Sequence, residues 1–91
     1  MPLHVELVSA DHLVWSGDAS MVVARTTEGE IGVMTGHSPV LGVLVGGQVR
    51  ITPLEGQPIT AEVDGGFFSV EHDRVTVVAE AASLASAAPA R

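Results

Sequence analysis

The chain has 91 residues, with 46% hydrophobic and 16% charged side chains; this predicts one small packed domain and excludes a second core or a disordered chain. Eleven acids face four bases, all arginine (Arg25, Arg50, Arg74 and Arg91), for a formal net charge of -7. So few scattered cations exclude nucleic acid as the main ligand and make anionic lipid a poor match, and the absence of cysteine removes disulfide scaffolds, thiol nucleophiles and thiolate metal sites.

Taken in chain order, the amino terminus Met1-Pro2-Leu3-His4-Val5-Glu6 lacks the basic-then-apolar order of a secretory signal. Leu3, Val5 and Leu7 then alternate with His4 and Glu6, the period of a half-buried strand. Turn signals follow at Trp15-Ser16-Gly17-Asp18, Glu28-Gly29-Glu30 and Gly36-His37-Ser38-Pro39. The apolar run at 40–45 is far shorter than the ~18–20 residues that cross a bilayer, and it fits a strand buried on both faces. After Gly46-Gly47, Val49 and Ile51 alternate with Gln48, Arg50 and Thr52. Beyond Glu55-Gly56-Gln57-Pro58, Ile59, Ala61 and Val63 alternate with Thr60, Glu62 and Asp64. Asp64-Gly65-Gly66 and Glu71-His72-Asp73 are further turn signals, and Val75, Val77 and Ala79 alternate with Thr76 and Glu80. Turns every ~8–12 residues and a valine-rich composition predict an all-β, antiparallel sandwich or flattened barrel. The segment at 79–88 is the one helix-friendly stretch; with Pro89 behind it and Leu84 as its one large apolar anchor, it predicts a short helical or frayed tail.

Motifs for chemistry are missing. His4, His12, His37 and His72 lie in separate segments with no metal-ligand spacing, and exposed strand and turn histidines are the simpler account. No serine occupies a Gly-x-Ser-x-Gly elbow. The glycine-rich stretch at 28–36 lacks the Gly-Lys-Ser/Thr ending of a phosphate loop. Glu28 and Glu30 flank a turn glycine, where two acids are more often solvated than paired for acid–base work. Trp15 fits either a core cap or an interface anchor.

Glu28-Gly29-Glu30-Ile31-Gly32-Val33-Met34-Thr35-Gly36-His37-Ser38-Pro39-Val40-Leu41 resembles the signature of the ε subunit family of F-type ATP synthases. The resemblance extends to Leu3-His4-Val5-Glu6-Leu7-Val8-Ser9-Ala10-Asp11, Trp15-Ser16-Gly17, Asp64-Gly65-Gly66-Phe67-Phe68-Ser69-Val70 and Val75-Thr76-Val77-Val78-Ala79-Glu80. It implies a ten-stranded β-sandwich over residues 1–82, followed by an Ala/Ser-rich tail at 83–91. It also implies a non-catalytic rotor part that links the γ subunit to the membrane c-ring and couples rotation to ATP synthesis, with no cofactor. The site would be the cytoplasmic face of a bacterial plasma membrane, with membrane association only through the complex.

By the same resemblance, Glu28, Glu30, Gly36, His37 and Ser38 face the c-ring at one end of the sandwich. An exposed ion pair there is worth only ~0–1 kcal/mol, so shape must supply most of the affinity. For His37 the competing role is a hydrogen bond within its own loop. Contact with γ is expected along an outer face that includes Val40, Leu41, Val43 and Leu44, although residues of this run also suit the core. The family's C-terminal helical hairpin has no counterpart here, so neither hairpin-based inhibition nor ATP binding is expected of this chain. Two other classes fit the composition: a protein- or carbohydrate-binding β-sandwich, for which two Phe, one Trp and no Tyr offer little stacking surface, and a small cupin-like metal protein.

Overall fold

The computed structural model describes residues 2–10 and 12–84. Among them are seven strands and no helix: β1 (Leu3–Val8), β2 (Leu13–Thr26), β3 (Gly29–Met34), β4 (Val40–Pro53), β5 (Ile59–Glu71), β6 (Arg74–Ala79) and β7 (Ala82–Leu84). The predicted alternation is realised in β1, where Leu3, Val5 and Leu7 are fully buried while His4 and Glu6 stay half-exposed. It recurs in β6, where Val75, Val77 and Ala79 point inward, and in β4, where Val49 and Ile51 do. These side chains pack around Phe68, the largest fully buried residue.

Strand order runs β1-β6-β5-β4-β2-β3, and β1 also pairs with β2. Five strands therefore close into a ring, while β3 takes over the edge of β2 at Met21, just past the point where β1 leaves it at Ala19. All pairings are antiparallel except β1 with β6, which is parallel. The expected all-antiparallel pattern is thus corrected, and the cause is topological: strand directions cannot alternate around a ring with an odd number of members.

Three of the predicted turns are not turns. Trp15-Ser16-Gly17-Asp18 lies inside β2, Gly46-Gly47 inside β4 and Asp64-Gly65-Gly66 inside β5. In β4 and β5 the two glycine pairs fall in the same stretch of the ladder, with Leu44 opposite Gly66, Gly46 opposite Asp64 and Gly47 opposite Val63. Glycine inside a strand marks a bend or a close backbone approach, and this pair of kinks lets each long strand pass from one layer to the other. The β2 strand makes the same passage through register shifts between Ala19 and Met21 and between Val23 and Thr26. Ten strands are implied by resemblance, and seven continuous strands are found, because β2, β4 and β5 run for 14, 14 and 13 residues and each serves both layers.

At Gly66 the reason for glycine is steric as well as conformational. Its φ is +134°, and a Cβ there would sit 1.9 Å from the carbonyl oxygen of Val78 on β6. Gly17 is held for a different reason, since a Cβ would meet the Trp15 ring at 3.0 Å. Trp15 itself is half-buried and packs against the core, which agrees with the core-capping role.

Where it is described, the helix-friendly C-terminal stretch holds the end of β6 at Ala79, a bend at Glu80 and Ala81, and β7, with no helix. Ala82, Ser83 and Leu84 form β7 and pair with Val63, Glu62 and Ala61 of β5, so the sheet captures residues whose intrinsic preference is helical. The predicted boundary at 82 falls within this strand, and residues 85–91 lie outside the described residues.

Substituting Gly66→Ala is expected to destabilise the domain by at least ~3 kcal/mol, combining the cost of a positive φ with a forced shift of the β5–β6 pair. Urea unfolding followed by circular dichroism measures it, and a loss below ~1 kcal/mol would show that the strands separate easily.

Candidate functional site

The hairpin between β2 and β3 is clasped by its own threonine. Thr26, 8% exposed, donates its hydroxyl to the Gly29 carbonyl at 2.8 Å and accepts the Glu28 N–H at 3.1 Å. Such side-chain capping of a turn orders it without tertiary contacts. It leaves Glu28 and Glu30 exposed, Glu30 directly across from Arg25 on β2. The Thr27 N–H donates to the Val43 carbonyl at 2.9 Å, which ties the turn to the start of β4.

The β3–β4 loop holds Gly36, His37 and Ser38. Gly36, with φ +89°, donates its N–H to the Asp73 carboxylate at 2.8 Å, and the His37 N–H donates to the Met34 carbonyl at 3.1 Å. His37 also donates its Nδ1–H to the Ser38 carbonyl at 2.7 Å. The loop hydrogen bond anticipated for His37 is therefore present, while Ser38 stays exposed. Asp73 holds more than this loop. It sits with His72 in a two-residue β5–β6 turn in which both residues have positive φ, 60° and 52°, a conformation that Asp and His tolerate better than most. Its carbonyl accepts the His4 N–H at 2.8 Å, so one residue joins the start of β1, the β3–β4 loop and the β5–β6 turn.

The structure does not bring the two predicted ring-facing groups together. They flank the six-residue β3, whose length at strand rise is about 17–20 Å. Thr27, next to Glu28, is bonded to Val43, and Gly36 to Asp73.

The 40–45 run is not buried on both faces. Leu41 is 74% and Val43 48% exposed, Val40 is half-buried, and Leu44 is in the core at 3%. Leu44 faces inward by strand parity and has no surface to offer a partner. Val43 instead belongs to a longer apolar row. It lies opposite Phe67 on β5, Phe67 opposite Val78 on β6, Val78 opposite Val8 on β1, and Val8 opposite Leu13 on β2. Phe67, Val78 and Leu13 are 57%, 41% and 56% exposed. A groove of about 420 Å³ runs along it, lined by Val43, Phe67, Val78 and Ala10 among others. Phe67 and Val78 were not among the predicted partner residues, yet one signal existed: adjacent Phe67 and Phe68 in a strand cannot both face the core.

Among the described residues no group of three His, Asp or Glu side chains is placed to hold a metal. His4 lies 3.4 Å from Asp18 and 3.8 Å from Glu6 on the exposed side of β1, and the Ser9 hydroxyl lies 3.1 Å from His12 Nδ1. No described helix is long and apolar enough to cross a membrane.

Comparison with known proteins matches residues 2–85 to the family described as "ATP synthase, Delta/Epsilon chain, beta-sandwich domain". The ATP synthase epsilon chain of Streptomyces griseus is 58% identical over 83 residues, which cover 91% of this chain and 67% of that one. That of Micrococcus luteus is 51% identical over 88 residues and is matched over 97% of both chains. Frankia casuarinae has an epsilon chain 55% identical over 85 residues, with 99% of its length matched. Among solved structures, a chain of the Euglena gracilis mitochondrial ATP synthase superposes with a TM-score of 0.85 at 24% identity; the match covers 91% of this chain and 53% of that one, about half its length. A chain of the Tetrahymena thermophila mitochondrial central stalk and c-ring gives 0.80 at 17%. These two likenesses bear on the fold, and the family match together with the epsilon-chain identities bears on kinship: the chain belongs to the ATP synthase delta/epsilon β-sandwich family.

Proposed function

We propose that this chain is a non-catalytic rotor subunit of a proton-translocating F-type ATP synthase, joining γ to the c-ring and carrying torque between them. The observation that carries it is the exposed apolar row across β4, β5, β6, β1 and β2. A small domain has little reason to leave Phe67, Val43, Val78 and Leu13 in one line facing water unless a partner covers them. That row is the γ-binding face, with Leu41 and Val40 at its margin; buried Leu44 supports it from beneath. Family membership and the epsilon-chain relatives support the assignment.

Glu28 and Glu30 at one flank of β3, and Gly36, His37 and Ser38 at the other, are the ring contacts. With β3 laid across the ring, both flanks touch it. His37 acts by shaping the loop through Ser38, and Asp73 holds that loop to the body of the barrel. Because Thr27 is bonded to Val43, the γ face and the ring face meet at the β2–β3 turn, and load passes between them through a short path. The closed ring of strands suits torque transfer, since opening it requires breaking a whole ladder of hydrogen bonds. Such a complex would place the chain on the cytoplasmic face of a bacterial membrane, held there only by its partners.

Phe67→Asp is expected to weaken binding to the γ subunit of the same organism by ~30-fold or more while leaving the melting temperature almost unchanged, as truncation of an aromatic anchor does. Isothermal titration against γ measures it; unchanged affinity would remove the row from the interface.

Cysteine placed at Glu30 (E30C) and, separately, at His37 (H37C) is expected to cross-link to c subunits in assembled membranes, whereas Glu6→Cys on β1, a strand that does not pair with β3, is not. Equal yields at all three positions would refute the ring-facing orientation.

A further inference from the structure

A second outer face, away from the γ row, is formed by β3, β2 and β4. Register places Met34, Met21 and Thr52 in one line across it, Gly32, Val23 and Arg50 in the next, and Glu30 and Arg25 in a third, with Gln48 and Gly47 beyond them on β4. Met34 is 60% and Met21 36% exposed. Arg25, Arg50, Glu30, Gln48, Gly47 and Val23 line a groove of about 280 Å³.

Its charge is anomalous for this chain. Acids outnumber bases eleven to four, yet two of the four arginines share this groove. Among the described residues neither Arg25 nor Arg50 makes an ion pair or a side-chain hydrogen bond, although Glu30 lies directly across from Arg25. The nearby Glu62 carboxylate is engaged instead by the Gln48 amide at 2.8 Å. Two uncommitted guanidinium groups, each with five donors in a planar fork, suit carboxylates. The methionines beside them are adaptable apolar contacts.

We propose that this face docks an acidic segment of a partner protein, one whose apolar side chain rests on Met21 and Met34 and whose carboxylates engage Arg50 and Arg25, about 7 and 13 Å further along the strands. A protein segment is favoured over a phosphate-rich polymer or lipid because the groove pairs its cations with a methionine patch, and because a chain of net charge -7 is repelled by extended anionic surfaces. The site is separate from the γ row but shares Glu30 and β3 with the proposed ring-facing side, so its occupant sits beside the ring contacts and adds to the rotor function.

The test is titration of the 15N-labelled full chain with the peptide acetyl-Leu-Glu-Glu-Leu-Glu-Glu-amide at low salt, following backbone amides. Shifts are expected to concentrate at Arg25, Gly47, Gln48 and Arg50, and affinity is expected to fall at least tenfold in the double variant R25Q/R50Q and several-fold in M21S/M34S. The single variants R25Q and R50Q, each expected to lose about threefold, keep the comparison readable if the double variant does not fold. Equal binding of a peptide with glutamine in place of glutamate would overturn the proposal, as would undiminished binding to the arginine variants. Shifts produced by phosphatidylglycerol vesicles but not by the peptide would assign the face to lipid, and shifts that track chain concentration alone would assign it to a second copy; either outcome also overturns it. Binding of R25Q/R50Q to γ is expected to be unchanged, which separates this outcome from a failure of the rotor assignment.

Discussion

Closure of the barrel by β1 is the constraint on which the rest of the structure depends. This six-residue strand pairs on one side with β2 and on the other with β6, the chain's first strand meeting its next-to-last. Its three inward residues, Leu3, Val5 and Leu7, are fully buried, so the same strand that satisfies two ladders also supplies core volume. The parallel β1–β6 ladder follows from the odd ring, and the Asp73 carbonyl that takes the His4 N–H fixes where it begins. A domain this small buries only ~60–65% of its unfolded surface and gains much from abolishing most of its sheet edges.

Closure also explains why composition foretold the fold class better than the strand borders. Period-two burial in β1 and β6 was plain, because each of these strands lies in a single layer. The long strands were hidden, since Gly46-Gly47 and Gly65-Gly66 have the local chemistry of turns and act as bends because β4 and β5 pair with each other on both sides of them. Pairing across some twenty residues decides between the two outcomes, and no local pattern carries it. The same limit applies to Ala82, Ser83 and Leu84, whose helical preference yields to an available edge of β5.

The candidate surfaces were legible to differing degrees for related reasons. Glu28, Glu30 and the 36–38 loop stood out as turn chemistry, and their exposure follows from the Thr26 clasp and the β3–β4 connection. Their separation along β3 was not readable from motif spacing, which counts residues rather than direction. Within the 40–45 run, parity alone distinguishes outward Leu41 and Val43 from inward Leu44, and that parity became visible only with the register to β5. The apolar row needs four separate registers to assemble, so Val78 and Leu13 could not be joined to Val43 by inspection of the chain. Asp73 was visible only as a turn residue; its two further attachments are long-range.

The proposed rotor role makes different demands on the two kinds of surface, and the chemistry divides accordingly. A γ contact that must survive every turn calls for buried apolar area, because exposed ion pairs are worth too little and weaken with salt. In the proposed contact, Phe67, Val43 and Val78 would supply that area on a row whose strands are hydrogen-bonded neighbours. The proposed ring contacts are polar and placed at the two flanks of β3, and each flank is tied back: Thr27 to Val43, and Gly36 to Asp73. Rigidity therefore has two sources: the β2–β3 turn is clasped locally by Thr26, and both loops are held to the closed barrel through hydrogen bonds that end on β4 and on the β5–β6 turn.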